Sequence, residues 1–122
     1  MKTIRIQIKA KSEFDSDLRS AAKALDEGKT PKRRSGVFFE SLNAVRTVLT
    51  DKRLELWRTI RDRKPESIST LAEMVHRNFR SVHRDVMFLK ELGLITLKKS
   101  KGQRGDLQSP VSLADELVLS VA

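Results

Sequence analysis

The sequence predicts a mainly α-helical fold with a small β component, an α+β protein, and three observations predict it. Ile4, Ile6 and Ile8 alternate with Thr3, Arg5, Gln7 and Lys9, the period of two that marks a strand with one face turned inward. Through most of the segment from Glu13 to Glu91, apolar residues instead recur at spacings of three and four, as in helices that each bury one stripe. After Gly93 the pattern changes again: Leu94, Ile95 and Leu97 form a short apolar run, and a basic loop holding Gly102 and Gly105 leads on to Val111 and Leu113, as in a hairpin.

In chain order, the first strand is followed by an amphipathic helix from about Glu13 to Glu27, because Phe14, Leu18, Ala21, Ala22 and Leu25 lie on one stripe and Gly28 closes it. Val37, Phe38 and Phe39 make a second short apolar run, able to pair with the first strand in the same protomer or in a partner. Leu42, Val45, Val48 and Leu49 trace the next helix, and Leu54, Leu56, Trp57 and Ile60 the one after it. Ser41 and Thr50 stand as caps, and Pro65 follows. Trp57 among these leucines reads as core packing.

The run SISTLAEMVHRNFRSVHRDVMFLKELGLI, residues 67 to 95, has the layout of two helices and a turn. Ser67 or Ser69 caps a first helix of about two turns whose Ile68, Leu71, Ala72 and Val75 face inward, and Thr70 with Glu73 suits a capping box. His76, Arg77 and Asn78 break the rhythm, after which Val82, Val86 and Leu89 define a second buried stripe. Its opposite face collects Arg80, His83, Arg84 and Met87, and Gly93 ends the helix where a left-handed residue is cheapest. Phe79 reads as packed under the turn, and Asp85 beside Arg84 as a surface pair.

Composition bounds the function. The 122 residues carry 25 Lys and Arg against 16 Asp and Glu, a net charge of +9 that favours a polyanionic partner. The basic excess runs as far as residue 105 and then reverses, since residues 106–122 hold three acidic residues and no basic one. With no cysteine, disulfides, thiolate catalysis and cysteine-based zinc fingers are excluded. No apolar run approaches the roughly 20 residues of a membrane span, and Met1 to Ala10 alternates where a signal-peptide core would be continuous, so a cytoplasmic protein with no membrane partner is expected.

Together the two helices, the Glu91-Leu92-Gly93-Leu94-Ile95 exit and the basic hairpin resemble the winged helix-turn-helix of the MarR and ArsR class of transcription regulators, from residue 41 to about 113. Ser41 to Leu49 and Asp51 to Arg63 occupy the places of the two preceding helices of that class, although the lack of cysteine makes its thiolate metal sensors a poor analogy. More narrowly, the stretch from Phe39-Glu40-Ser41-Leu42 through Arg53-Leu54-Glu55-Leu56 resembles a group of small prokaryotic DNA-binding proteins described as regulators or antitoxin-like partners of toxin genes. The expected organisation is a strand, helix and basic linker over residues 1–36, serving dimerisation, and a winged helix-turn-helix over 37–122.

On that layout the second helix enters the major groove with its N-terminal turns deepest, which nominates Arg77, Asn78, Arg80, Ser81, His83 and Arg84 for contact. Ser69 and Thr70 would position phosphates, while Lys98, Lys99, Lys101 and Arg104 would clamp the backbone or minor groove from the wing. Lys32, Arg33 and Arg34, beside Pro31, are either a minor-groove arm or a solvated connector. The expected partners are double-stranded DNA and a second copy of the chain, and the leading function is a homodimeric repressor. The alternative is an antitoxin that binds a toxin protein, with Leu113, Leu117, Val118, Leu119 and Val121 in a strand offered to that partner or, more simply, closing the wing or sheet. No catalytic residue, cofactor or metal site is expected: His76 and His83 lack a third soft ligand, and no glycine-rich phosphate cradle is present. The exposed aromatic pairs of a single-strand platform are missing from the pattern.

Overall fold

Alternating isoleucines make Thr3–Ile8 a strand (β1) in the computed structural model, which describes residues 1–9, 11–28, 36–102 and 105–121, with backbone alone at 11–14, 17, 100–102, 105 and 106. The architecture is mixed α/β: among the described residues there are five helices, a three-stranded sheet and a two-stranded hairpin. Packing divides the chain into two units, Ile4–Val48 with Leu117–Ala122 and Leu49–Glu116 with Met1–Thr3.

In the first unit, β1 runs into helix α1 (Lys11–Asp26), strand β2 (Val37–Phe39) and helix α2 (Leu42–Val48), and the C-terminal strand β5 (Glu116–Val121) returns to it. The sheet order is β2-β1-β5. β1 and β2 are parallel, with Ile6 opposite Val37 and Ile8 opposite Phe39, so the apolar run at 37–39 pairs within its own chain. A parallel pair needs a crossover, and α1 lies in that connection. Gly28, at φ 74°, follows the helix where the sequence puts its stop. The stripe of α1 is not inward as expected, for none of its described side chains is buried, and Leu18 and Leu25 are 55% and 63% exposed. Ser41 caps α2 through a hydrogen bond that its Oγ accepts from Ala44 N at 3.1 Å.

In the second unit, helix α3 (Asp51–Arg63), helix α4 (Ile68–Met74), helix α5 (Phe79–Glu91) and the antiparallel strands β3 (Ile95–Gly102) and β4 (Gly105–Ser112) follow one another. Thr50 caps α3, its hydroxyl accepting from Arg53 N at 3.3 Å. Leu56, Ile60, Leu71, Val82, Val86, Leu89, Leu94 and Ile95 supply the core, each at most 1% exposed. Trp57 joins it as expected, and its Nε1–H donates to Ser112 Oγ at 2.9 Å, which ties α3 to the base of the hairpin. The hairpin is in register from Ile95 opposite Ser112 to Gly102 opposite Gly105. Lys32, Arg33, Arg34 and Arg104 lie outside the described residues, as does the side chain of Lys101. Among the described residues, no helix is long and apolar enough to cross a membrane.

Candidate nucleic-acid interface

The turn between α4 and α5 is built from two caps and a left-handed residue. Ser67 opens α4 by accepting from Thr70 N at 3.0 Å and donates its own hydroxyl to Thr70 Oγ1 at 3.0 Å. Ser67 is therefore the cap, and Thr70 stands inside the first turn with no capping box of its own. At the other end His76 takes φ 54°, its N–H bonds Glu73 O at 3.2 Å, and Arg77 N–H reaches Ala72 O at 3.0 Å. That pair of bonds is a Schellman turn, whose left-handed position is usually glycine. The chain reverses there, and Asn78 caps α5 by accepting from Arg80 N at 2.8 Å.

The inner face of α5 holds more than hydrocarbon. Asp85 is 5% exposed, beside buried Val82, Val86 and Leu89, and it accepts from Arg77 Nη2 at 2.7 Å and from Arg53 Nε at 3.2 Å. Burial pushes its carboxyl up, but the hydrogen bonds and charges of Arg77 and Arg53 outweigh that and hold it below the ordinary aspartate value. Arg53 also lies 4.2 Å over the ring of Phe88. One carboxylate thus ties α3, the turn and α5 together. The expected surface pair of Asp85 with Arg84 is overturned, since Asp85 sits three residues after Val82 and so falls on the buried stripe.

Two of the nominated contact residues are consequently engaged: Arg77 is bound to Asp85, and the Asn78 carboxamide oxygen is bound to the backbone. Arg80 and Arg84 are exposed, and neither donates a side-chain hydrogen bond nor joins an ion pair among the described residues. His83 is half-buried against Phe79, with ring centroids 5.7 Å apart and planes inclined at 36°. Phe79 is 51% exposed and not packed under the turn as expected: although it lies three residues before Val82, it is the first residue of α5, directly after the Asn78 cap, and the buried run begins only at Val82.

The residues that sequence nominated separately meet in two concavities. One gathers Thr50, Lys52, Arg53, Arg77, Asn78, Ser81 and Arg84 around the N-termini of α3 and α5. The other brings Ser69, Phe79 and His83 against Lys99, Leu107 and Gln108 of the hairpin. Lys98 and Lys99 are exposed, and successive strand residues point to opposite faces, so the two cannot serve the same side of the hairpin. The first turn of α5 carries no acidic residue, which leaves the positive end of the helix dipole unopposed there. Thr70 is half-buried in the Ser67 cap, whereas Ser69 is exposed.

The model of the HVO_A0114 family matches residues 48–115, from the last residue of α2 past the end of the hairpin. No curated protein and no solved structure matches the chain.

Proposed function

We propose that this chain, which belongs to the HVO_A0114 family, is a sequence-specific double-stranded DNA-binding regulator of transcription that works as a homodimeric repressor through a winged helix-turn-helix. The observation that carries this reading is the outer face of α5. It presents Arg80 and Arg84 exposed and, among the described residues, without protein partners at the N-terminal half of a 13-residue helix, and a hairpin with exposed Lys98 and Lys99 follows.

A helix about 10–12 Å wide fits the major groove, and a guanidinium held at the groove floor can bond guanine through two acceptors. Arg80, Ser81 and Arg84 are the base-reading groups in this account, with His83 behind them. Ser69 and Lys99 of β3 hold phosphates, and α3 supports the recognition helix from behind through Arg53 and Asp85. Arg77 acts as a strut, and Asn78 as a cap.

Pairing of two copies is supported by apolar surface in the other unit, where Leu18 and Leu25 of α1 and Leu119 and Val121 of β5 are exposed. Two-fold operators are the usual target of such pairs, and occupancy alone blocks transcription. In the antitoxin alternative the strand offered to a toxin would be β5, which pairs with β1 and stands at the edge of its sheet among the described residues.

Selection of bound duplexes from a random DNA pool tests the proposal. Enrichment of a two-fold motif with half-sites about one helical turn apart is expected. Affinity for that motif should fall roughly 10³- to 10⁵-fold between 50 and 200 mM salt if a dimer neutralises about 6–10 phosphates. A pool that shows no enrichment at low salt would overturn it.

A further inference from the structure

We propose that Phe79 is a base-reading residue, and that it recognises a thymine in the major groove through the C5-methyl group. This rests on the double-stranded DNA reading of α5 and assigns that surface an apolar determinant besides its arginines. Just ahead of α5, Arg77 is bound to Asp85 and the Asn78 carboxamide oxygen to Arg80 N, and the first side chains of the helix itself are the phenyl ring of Phe79 and the guanidinium of Arg80. The ring is 51% exposed, although Phe79 lies three residues before the fully buried Val82 and so at the spacing of the buried stripe.

It is also held in place. His83, one turn on, stacks against it at 5.7 Å, and the ring forms the ridge between a concavity that holds Lys99 and another that holds Glu73 and His76. The charged groups exposed with it on α5 at this end, Arg80 and Arg84, are cationic, as is Lys99 across from it on the hairpin. A partner that suits this face is anionic overall and offers one apolar spot at the depth the helix reaches. In a DNA duplex the major groove is lined by hydrogen-bonding groups, and the thymine methyl is its apolar one.

Deoxyuridine pairs like thymidine and lacks only that methyl. The duplexes selected by the full chain are remade with deoxyuridine at one thymidine at a time, and binding is titrated for the wild-type chain and for Phe79→Ala and Arg84→Ala. At one position in each half-site, deoxyuridine should weaken wild-type binding roughly fourfold, the worth of one methyl group removed from water. Phe79→Ala should bind the thymidine and deoxyuridine duplexes equally, and Arg84→Ala should bind both more weakly while keeping the ratio between them. Wild-type protein that enriches a motif yet ignores deoxyuridine at every position would overturn the thymine assignment alone. Failure to enrich any duplex would remove the DNA reading and this inference together. A Phe79→Ala defect confined to single-stranded DNA would make the ring a stacking platform and overturn the assignment.

Discussion

The two faces of α5 use arginine in opposite ways. On the inner side, Arg77 and Arg53 converge on one carboxylate, Asp85, whose side chain is 7% exposed. On the outer side, Arg80 and Arg84 are exposed with no protein partner among the described residues. A guanidinium bonded to a buried carboxylate has lost the freedom to reach a ligand, whereas one left in water pays its ordering cost only on binding. Basic residues a few positions apart in sequence are thus divided between holding the helix and offering it.

The largest effect expected from that division is on stability. Asp85→Asn leaves two partly buried guanidinium groups without their counter-charge and should cost about 3 kcal/mol, read as a lowered midpoint in urea. An Asp85 whose replacement shifts the midpoint no more than a surface mutation would break the comparison. The same residue sets an acid limit. Its folded value lies below the roughly 3.9 of an unfolded aspartate, so its contribution is complete above that pH and fades as the pH falls through the folded value. Wild-type stability should therefore drop more steeply than that of Asp85→Asn below about pH 4, a difference that denaturation at several pH values would reveal.

The outer face should behave the other way round. Arg80→Ala and Arg84→Ala are each expected to weaken binding to the selected duplex by roughly 1–3 kcal/mol and to relax its sequence preference, with stability unchanged within about 0.5 kcal/mol. Lys99→Ala, on the hairpin, should weaken all duplexes about equally and reduce the salt slope by about 1. Titrations against selected and scrambled DNA separate the two kinds of residue. If Arg77→Ala cost affinity in proportion to Arg84→Ala without loss of stability, Arg77 would belong on the reading side after all.

How much of this was legible depends on the range of the interactions. The stripes of α3, α4 and α5, the Ser41 and Thr50 caps and the stop at Gly93 follow from neighbours within a turn and stand where local spacing puts them, whereas the stripe of α1 does not face inward. Asp85 was legible too, since its place three residues after Val82 is on the buried stripe, but a charge there has meaning only once Arg53 and Arg77 are brought up by the turn and by α3. The pairing of β5 with β1 joins the two ends of the chain, and no local pattern specifies it. Exposure of Phe79 was not legible: three residues before Val82 it has the spacing of the buried stripe and reads as core, and only the cap at Asn78 shows that it is the first residue of α5.

The smallest effect concerns the ends of the two helices that frame the interface. α4 and α5 finish in the same Schellman turn: Arg77 N–H reaches Ala72 O at the first, and Leu94 N–H reaches Leu89 O at the second, each bond near 3 Å. The left-handed position is His76 at φ 54° in the first and Gly93 at φ 80° in the second, so only the first carries the steric cost of a Cβ. His76→Gly should remove that cost while giving the unfolded chain more freedom, for a net gain of up to about 1 kcal/mol. Gly93→Ala should lose about 1 kcal/mol or more, since the added Cβ meets open space and the penalty is conformational alone. Thermal denaturation of both variants, with DNA titration alongside, gives the comparison. A His76→Gly chain that is more stable and binds as before marks the imidazole as a tenant of the turn. One that is more stable but binds less well would move His76, exposed at the tip of the turn, onto the list of groups that meet the DNA backbone.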